Sequence, residues 1–493
     1  MVFNSYIFIL FFVVMLVLHN LPFPWKVKKV NLLIASYVFY AAWNPPFILL
    51  LWLSTVVDYF VGRALYVEQH KNKRRLLLII SLAGNLGMLC FFKYGDFILD
   101  NFVHAVNAFG FSYHPAKPNI ILPAGISFYT FTTLCYTVDM YKRESKPVKT
   151  LLDFSLFVTF FPHLVAGPIV RPPQLIPQFE TPRKASAQQL INGLLLLSLG
   201  LFMKVVLADA MLSGAADIVF GSKTGLGTLD AWTGVLAFSG QIFFDFAGYS
   251  TAAIGVAMCF GFVLPQNFFW PYAAVGLTDF WRRWHITLST WLRDYLYIPL
   301  GGNREGKFKA YRNVMLTMLI GGLWHGANWT FVAWGGLHGL YLWVEKAIRD
   351  GRENKMKRQN KGNPAVVEIA SVIPLSGGRG KKPAFAGALF TFLLVCITWV
   401  FFRANSFSAA WQLLIGMAGQ SVIKTPVLPT LTIIKVVLII GLMLIFHWFM
   451  RNKNVLETAA KLPWWIVGTA WAFMIILLVM SQETGHSFIY FQF

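Results

Sequence analysis

The sequence predicts an all-α polytopic membrane protein, and three observations carry that prediction. Hydrophobic residues make up 57% of the 493 and charged residues only 13%, about half the charge of an ordinary soluble domain. Apolar runs recur at Tyr6–Leu18, Phe47–Val61, Leu76–Phe92, Leu190–Met203 and Val436–Met450, several of them close to the ~20 residues that cross a bilayer core. Lys and Arg produce a net charge of +21, yet they gather in short segments between apolar runs and build no polar domain.

The first run, Tyr6–Leu18, is a span and not a signal peptide, because no charged segment precedes it and no small-residue cleavage site follows it. The basic clusters Lys26/Lys28/Lys29, Lys71/Lys73/Arg74/Arg75 and Lys142/Arg143/Lys146/Lys149 fit the positive-inside rule. Placing all three in the cytoplasm orients the first five spans with the N-terminus outside and puts residues 93–119 outside. The charge therefore needs no nucleic-acid partner; the partner it implies is membrane lipid. The four cysteines, Cys90, Cys135, Cys259 and Cys396, lie in apolar runs without CxxC spacing and read as small core residues.

Residues 1–493 read as a single transmembrane domain with no internal repeat. Residues 1–145 are ordinary spans with short loops. Residues 150–345 form a core in which Gly, Pro, Arg, Asp and His interrupt the apolar runs from Asp153 to His338. Irregular backbone at membrane depth is tolerated only where it is buried in protein or lines a cavity, so this core predicts re-entrant or half-length helices and the functional cavity. Residues 349–382 carry nine Lys/Arg against three acidic residues and predict a cytoplasmic, partly flexible loop. Residues 383–493 add the runs Phe385–Phe402, Val436–Met450 and Trp464–Met480. The total is about eleven or twelve crossings, with Met315–Trp343 open as one tilted span, a hairpin or a re-entrant pair.

Four segments concentrate chemistry. In Thr278–Asn303, Arg282, Arg283, His285, Arg293 and Asp294 stand among Trp281, Trp284, Trp291 and Tyr295. On a helix Asp279 is close enough to pair with Arg282 or Arg283. An interfacial amphipathic helix explains part of this segment, but not the histidine or the acid–base pair. In Leu319–Leu340, His325 has no charged neighbour for about a dozen residues on either side, and an ionisable group inside a membrane is costly and usually functional. Gly321, Gly322 and Gly326 allow close approach. His338, 13 residues on, points the opposite way if the helix is continuous and reads as structural. In Phe160–Gln174 the prolines prevent a straight helix, and Arg171 either faces an anionic group or marks the interface. In Gln241–Ser250, Asp245 either orients a histidine or pairs with an arginine. No HExxH motif, His pair at i,i+4, phosphate loop or GxSxG elbow is present, so neither a metal site nor a serine acyl-enzyme has support.

The stretches Leu122–Phe131, Phe161–Ile169, Gln241–Ser250, Asp279–Asn303, Gly321–Trp329 and Phe488–Phe493 resemble, in order, the membrane-bound O-acyltransferase (MBOAT) family. The likeness is to its bacterial branch, which includes the membrane acetylase of alginate and cellulose O-acetylation and the teichoic-acid D-alanyl transferase. The resemblance implies a ring of about 11 tilted transmembrane helices, with re-entrant segments, around a central tunnel. It implies that His325 is the catalytic base and that His285, 40 residues upstream, is the second catalytic position.

It further implies an inner-membrane enzyme that moves acetyl from cytoplasmic acetyl-CoA, or from an acyl-carrier thioester, to exopolysaccharide hydroxyls. Transfer is direct or through a periplasmic SGNH-type acetyltransferase partner or a polysaccharide synthase complex. Acyl transfer to a hydroxyl needs a base for its proton and a donor for the charge that develops on the carbonyl oxygen; His285 or Asn328 can supply the latter. Trp324, Arg293, Asp294, Asp245, Tyr249, Arg171 and Asn303 are candidates for lining substrate or tunnel. Seven Lys/Arg over residues 282–312, against Asp294 and Glu305, either attract an anionic donor or follow the positive-inside rule. The rival readings are D-alanyl or other acyl transfer from a carrier protein, and a transporter for a lipid or polysaccharide precursor.

Overall fold

The computed structural model describes all residues except 119, 223, 360–383, 422–425 and 482–493. The secondary-structure elements among the described residues are all helices, with no strand among them. Among the described residues six helices are long and apolar enough to cross a membrane: Pro45–Val67, Lys71–Ala108, Ala187–Phe220, Thr228–Cys259, Phe385–Arg403 and Thr430–Met450. Three shorter apolar helices, Tyr6–Asn20, Phe407–Met417 and Trp464–Met480, accompany them. Phe407–Met417 was not anticipated. It is short and opens on the side-chain cap of Ser406, which accepts from the N–H of Ala409.

Several sequence expectations are refined. Half of the stretch 93–119 is not a connection: the helix from Lys71 runs to Ala108, about 57 Å at 1.5 Å per residue, well beyond a ~30 Å hydrocarbon core. The helix Trp329–Gln359 likewise carries through the first part of the basic insert, and the remainder of 349–382 lies outside the described residues. Met315–Trp343 is resolved as a hairpin, because Lys307–His325 and Trp329–Gln359 are separate helices packed on one another. Cys135, Cys259 and Cys396 are buried as expected, but Cys90 is exposed; it sits on the long helix Lys71–Ala108, only 17% of whose apolar window is buried.

The chain divides into two compact units. The first comprises Met1–Asp209, Phe243–Gln266 and Pro463–Phe493. Its polar interior is organised around single charges. Lys29 pairs with Asp153, which sits in the first turn of the helix Leu151–Thr159 capped by Thr150. Asp58, fully buried, accepts from Ser81 Oγ at 2.5 Å, Asn85 Nδ2 at 2.7 Å and Thr137 Oγ1 at 3.3 Å. Such bonds replace the water a carboxyl loses on burial. Small residues bring helices close: a Cβ on Gly200 would lie 2.4 Å from Gly248 O and Ala252 N, the kind of close crossing that drives helix association in lipid. Short helices of the expected kind are here, in Leu151–Thr159, Phe161–Leu164 and Pro172–Glu180, the latter two opening on proline, which lacks an N–H and is tolerated in a first turn.

The second unit comprises Ala210–Ile242 and Asn267–Leu462. It contains the hairpin, the helices Phe385–Arg403 and Thr430–Met450, and the short pieces Leu277–Trp281, Ile286–Leu292 and the π-helical Arg293–Tyr297. Both histidines singled out in the sequence belong to this unit.

Candidate active site

The hairpin sets His325. Its first helix stops at that residue because Gly326 is extended (φ −164°, ψ 154°). The second helix starts behind Asn328, whose side-chain oxygen accepts from the N–H of Thr330 at 3.0 Å, as an N-cap does. Glycines make the turn tight. A Cβ on Gly326 would lie 2.1 Å from the Phe331 ring, one on Gly322 2.3 Å from Phe331 O, and one on Gly335 2.2 Å from Met318 O. His325 is buried within aromatic rings: Trp334 at 4.9 Å, Trp324 at 5.0 Å and Phe402 at 5.3 Å between centroids.

His285 is reached differently. It is fully buried and holds a left-handed backbone (φ 42°, ψ 54°) ahead of the helix Ile286–Leu292. For a side chain that bulky the conformation is uncommon and persists only where the surroundings enforce it. Asn267 enforces it. Its backbone carbonyl accepts from Ile286 N at 2.9 Å, and its side-chain Oδ1 lies 3.1 Å from His285 Nδ1 and 2.9 Å from Thr287 Oγ1. Trp324 joins the two centres: its ring centroid is 6.0 Å from that of His285 and 5.0 Å from that of His325.

A charged scaffold holds this segment from below. Asp279 bonds Arg283 Nε at 2.8 Å and Arg451 Nη2 at 2.7 Å, so the expected Asp279 pairing is made with Arg283. Arg283 also donates to the carbonyl of Arg451 at 2.6 Å. Glu345 Oε2 accepts from Leu277 N at 2.6 Å and Thr278 N at 3.1 Å, satisfying the opening N–H groups of the helix Leu277–Trp281.

The remaining candidates are dispersed. Asn328 is committed at both ends, capping its helix and donating to Asn405 O at 3.3 Å. Arg293 pairs with its neighbour Asp294 at 2.6 Å, and both it and Asn303 are exposed. Of the seven basic residues over 282–312, Arg283, Arg293 and Lys309 each hold an acid. Arg171, Asp245 and Tyr249 belong to the first unit. There the Arg171 N–H donates to Gln174 Oε1 at 2.9 Å, and Tyr249 stacks on Phe3 at 4.6 Å. Asp245 makes the ion pair weighed in the sequence, but with a lysine: Lys204 Nζ is 2.5 Å away and also binds Asp209 at 2.9 Å. His338 does bond across helices, its Nε2 lying 3.0 Å from Thr398 Oγ1. The expectation that it points away from His325 fails because the helix is not continuous; Trp334 lies 4.8 Å from His338 and 4.9 Å from His325.

Sequence reasoning missed Asn267, Trp334, Phe402 and Lys204. Lys204 had a signal, a lone cation directly after the apolar run Leu190–Met203. Asn267 had a weaker one, the second of two amides, Gln266 and Asn267, between Pro265 and three consecutive aromatic residues.

Comparison with known proteins places the chain in a family. Residues 5–373 match the model of the MBOAT, membrane-bound O-acyltransferase family. A probable alginate O-acetylase of Pseudomonas aeruginosa is 40% identical over 415 residues, covering 84% of this chain and 74% of that protein. A peptidoglycan O-acetyltransferase of Helicobacter pylori is 38% identical over 438 residues, 84% of this chain and 77% of its own. A teichoic acid D-alanyltransferase of Streptococcus thermophilus is 30% identical over 290 residues, 56% of this chain and 67% of its own. A multi-pass chain of apolar helices, two buried histidines joined through one tryptophan, and a family match over most of the length lead to one conclusion: this protein belongs to the membrane-bound O-acyltransferase family and is an O-acyltransferase.

Proposed function

We propose that the protein is a bacterial inner-membrane O-acetyltransferase serving exopolysaccharide modification, with the whole of 1–493 as one acyltransferase domain and His325 as its general base. The N-terminus is periplasmic, the thioester donor (acetyl-CoA or an acyl-carrier thioester) enters from the cytoplasm, and the acetyl group crosses through a central tunnel within a ring of about 11 helices. It reaches sugar hydroxyls directly or through a periplasmic SGNH-type partner or a synthase complex. The observation that supports this most strongly is the burial of His325 at the end of a glycine-tightened hairpin, in ring contact with the same Trp324 that touches His285.

In the reaction, the attacking hydroxyl forms a bond to the thioester carbonyl carbon as His325 takes its proton. The tetrahedral intermediate collapses with cleavage of the C–S bond, and the proton passes from His325 to the departing thiolate. The aromatic frame excludes water that would otherwise hydrolyse the thioester. Acetyl is favoured over D-alanyl because the acetylase relatives align over 84% of the chain and the D-alanyltransferase over 56%.

The test is an acetyl-transfer assay on membranes containing the wild-type protein or His325→Ala, with labelled acetyl-CoA and a polysaccharide acceptor. Loss of transfer with unchanged membrane insertion is expected. Wild-type rates in the variant would overturn the role of His325. Transfer of D-alanyl but not acetyl would overturn the donor assignment.

A further inference from the structure

We propose that Asn267 is a positioning residue that holds His285 as its Nδ1–H tautomer, leaving Nε2 a hydrogen-bond acceptor and not an oxyanion donor; this rests on the reading that His285 serves the transfer.

One oxygen decides the matter. Asn267 Oδ1 lies 3.1 Å from His285 Nδ1, 2.9 Å from Thr287 Oγ1 and 3.2 Å from the backbone N of Thr287. A backbone N–H can only donate, so the Asn267 atom facing it is the carbonyl oxygen and not the amide nitrogen. A carbonyl oxygen can only accept, so His285 Nδ1 carries the hydrogen. Turning the amide over would set its NH2 against the Thr287 N–H, two donors face to face, and forfeit that bond. The turned oxygen would gain nothing, because Asn267 Nδ2 has no partner at its present position among the described residues. The Asn267 backbone is pinned as well, through the 2.9 Å bond from Ile286 N, and His285 is held in its left-handed conformation. The tautomer is thus imposed by the partner of the other ring nitrogen, as in other orienter–histidine pairs.

The consequence reaches the chemistry. Stabilising an oxyanion requires an N–H or O–H aimed at it. A neutral Nδ1–H imidazole offers only a lone pair at Nε2. His285 Nε2 therefore accepts a hydrogen bond and leaves the attacking hydroxyl's proton to His325, while its Nδ1–H faces the Asn267 carbonyl dipole.

The decisive experiment is solid-state 15N NMR of the histidine-labelled, full-length protein in lipid bilayers, with His285 assigned by the signals lost in His285→Gln. Wild type should show a protonated, pyrrole-type Nδ1 and an unprotonated, pyridine-type Nε2. Asn267→Leu should lose that pattern and lower kcat on the order of 10²-fold, the usual worth of a positioned acid or base, with KM nearly unchanged. Asn267→Asp keeps the three acceptor contacts and should restore kcat. A protonated Nε2 in the wild type, or a folded Asn267→Asp as slow as Asn267→Leu, would overturn the proposal. The NMR is read on resting protein, so a failure of the acetyl-transfer reading in the separate assay leaves the tautomer result standing.

Discussion

The two histidine-bearing regions of the second unit solve the same problem in opposite ways. His325 sits at the end of a regular helix, and rings set its place: Trp324, Trp334 and Phe402, all within 5.3 Å between centroids. His285 sits on strained backbone, and a directional bond to Asn267, itself held by Thr287, sets its place. Ring packing is contact-rich but weakly directional about the imidazole's hydrogens, whereas a hydrogen bond at one ring nitrogen dictates the protonation of the other. Shape therefore governs the first centre, and proton placement governs the second.

Variants can break that contrast at graded cost. His325→Ala removes the base and should lower acetyl transfer about 10³-fold, read in the membrane assay, with the protein still inserted. Gly326→Ala attacks the shape of the first centre without touching its chemistry. Its backbone angles suit any residue, so the effect is steric: the new methyl meets the Phe331 ring at 2.1 Å. We expect a destabilisation of about 1–3 kcal/mol and, through displacement of His325, a loss of activity on the order of 10²-fold. Wild-type kinetics in this variant would show that the turn tolerates more than the packing indicates. Asp279→Ala strips the partner from Arg283 and Arg451, both nearly buried. Breaking such a pair costs about 3 kcal/mol, visible as a lowered melting temperature in detergent. Activity should fall only as far as the segment from Asn267 to His285 loosens. Asn328→Ala should be mildest. It loses a helix cap worth about 1 kcal/mol and should keep most of the activity, because the Asn328 amide is already committed to Thr330 and Asn405. A loss as deep as that of His325→Ala would return Asn328 to the chemistry as an oxyanion donor.

The ordered motifs made the family and His325 legible, because a lone ionisable residue in an apolar run is costly enough to stand out. The same logic applied to Lys204 and was not followed, which left Asp245 with the wrong partner type. Asn267 was nearly invisible. An amide carries no charge, and its value lies in a partner 18 residues away across an irregular turn that no periodicity describes. Arg293 and Asn303 were singled out by clustering with tryptophans; in the fold Arg293 pairs with Asp294 and both are exposed.

By itself the sequence determined the helical membrane class, the general placement of the apolar helices and the family, and it singled out His325 as the candidate base. The class and the helices follow from composition and run length, which act along the chain, and the family and the candidate base from ordered motifs that resemble the family's. Only the tertiary structure decided that Met315–Trp343 folds as a hairpin, that His338 and His325 share Trp334, and that Asn267 governs His285. Those facts depend on which side chains meet across separate helices, and extended glycines, left-handed turns and single hydrogen bonds settle that without leaving a periodic trace in the sequence.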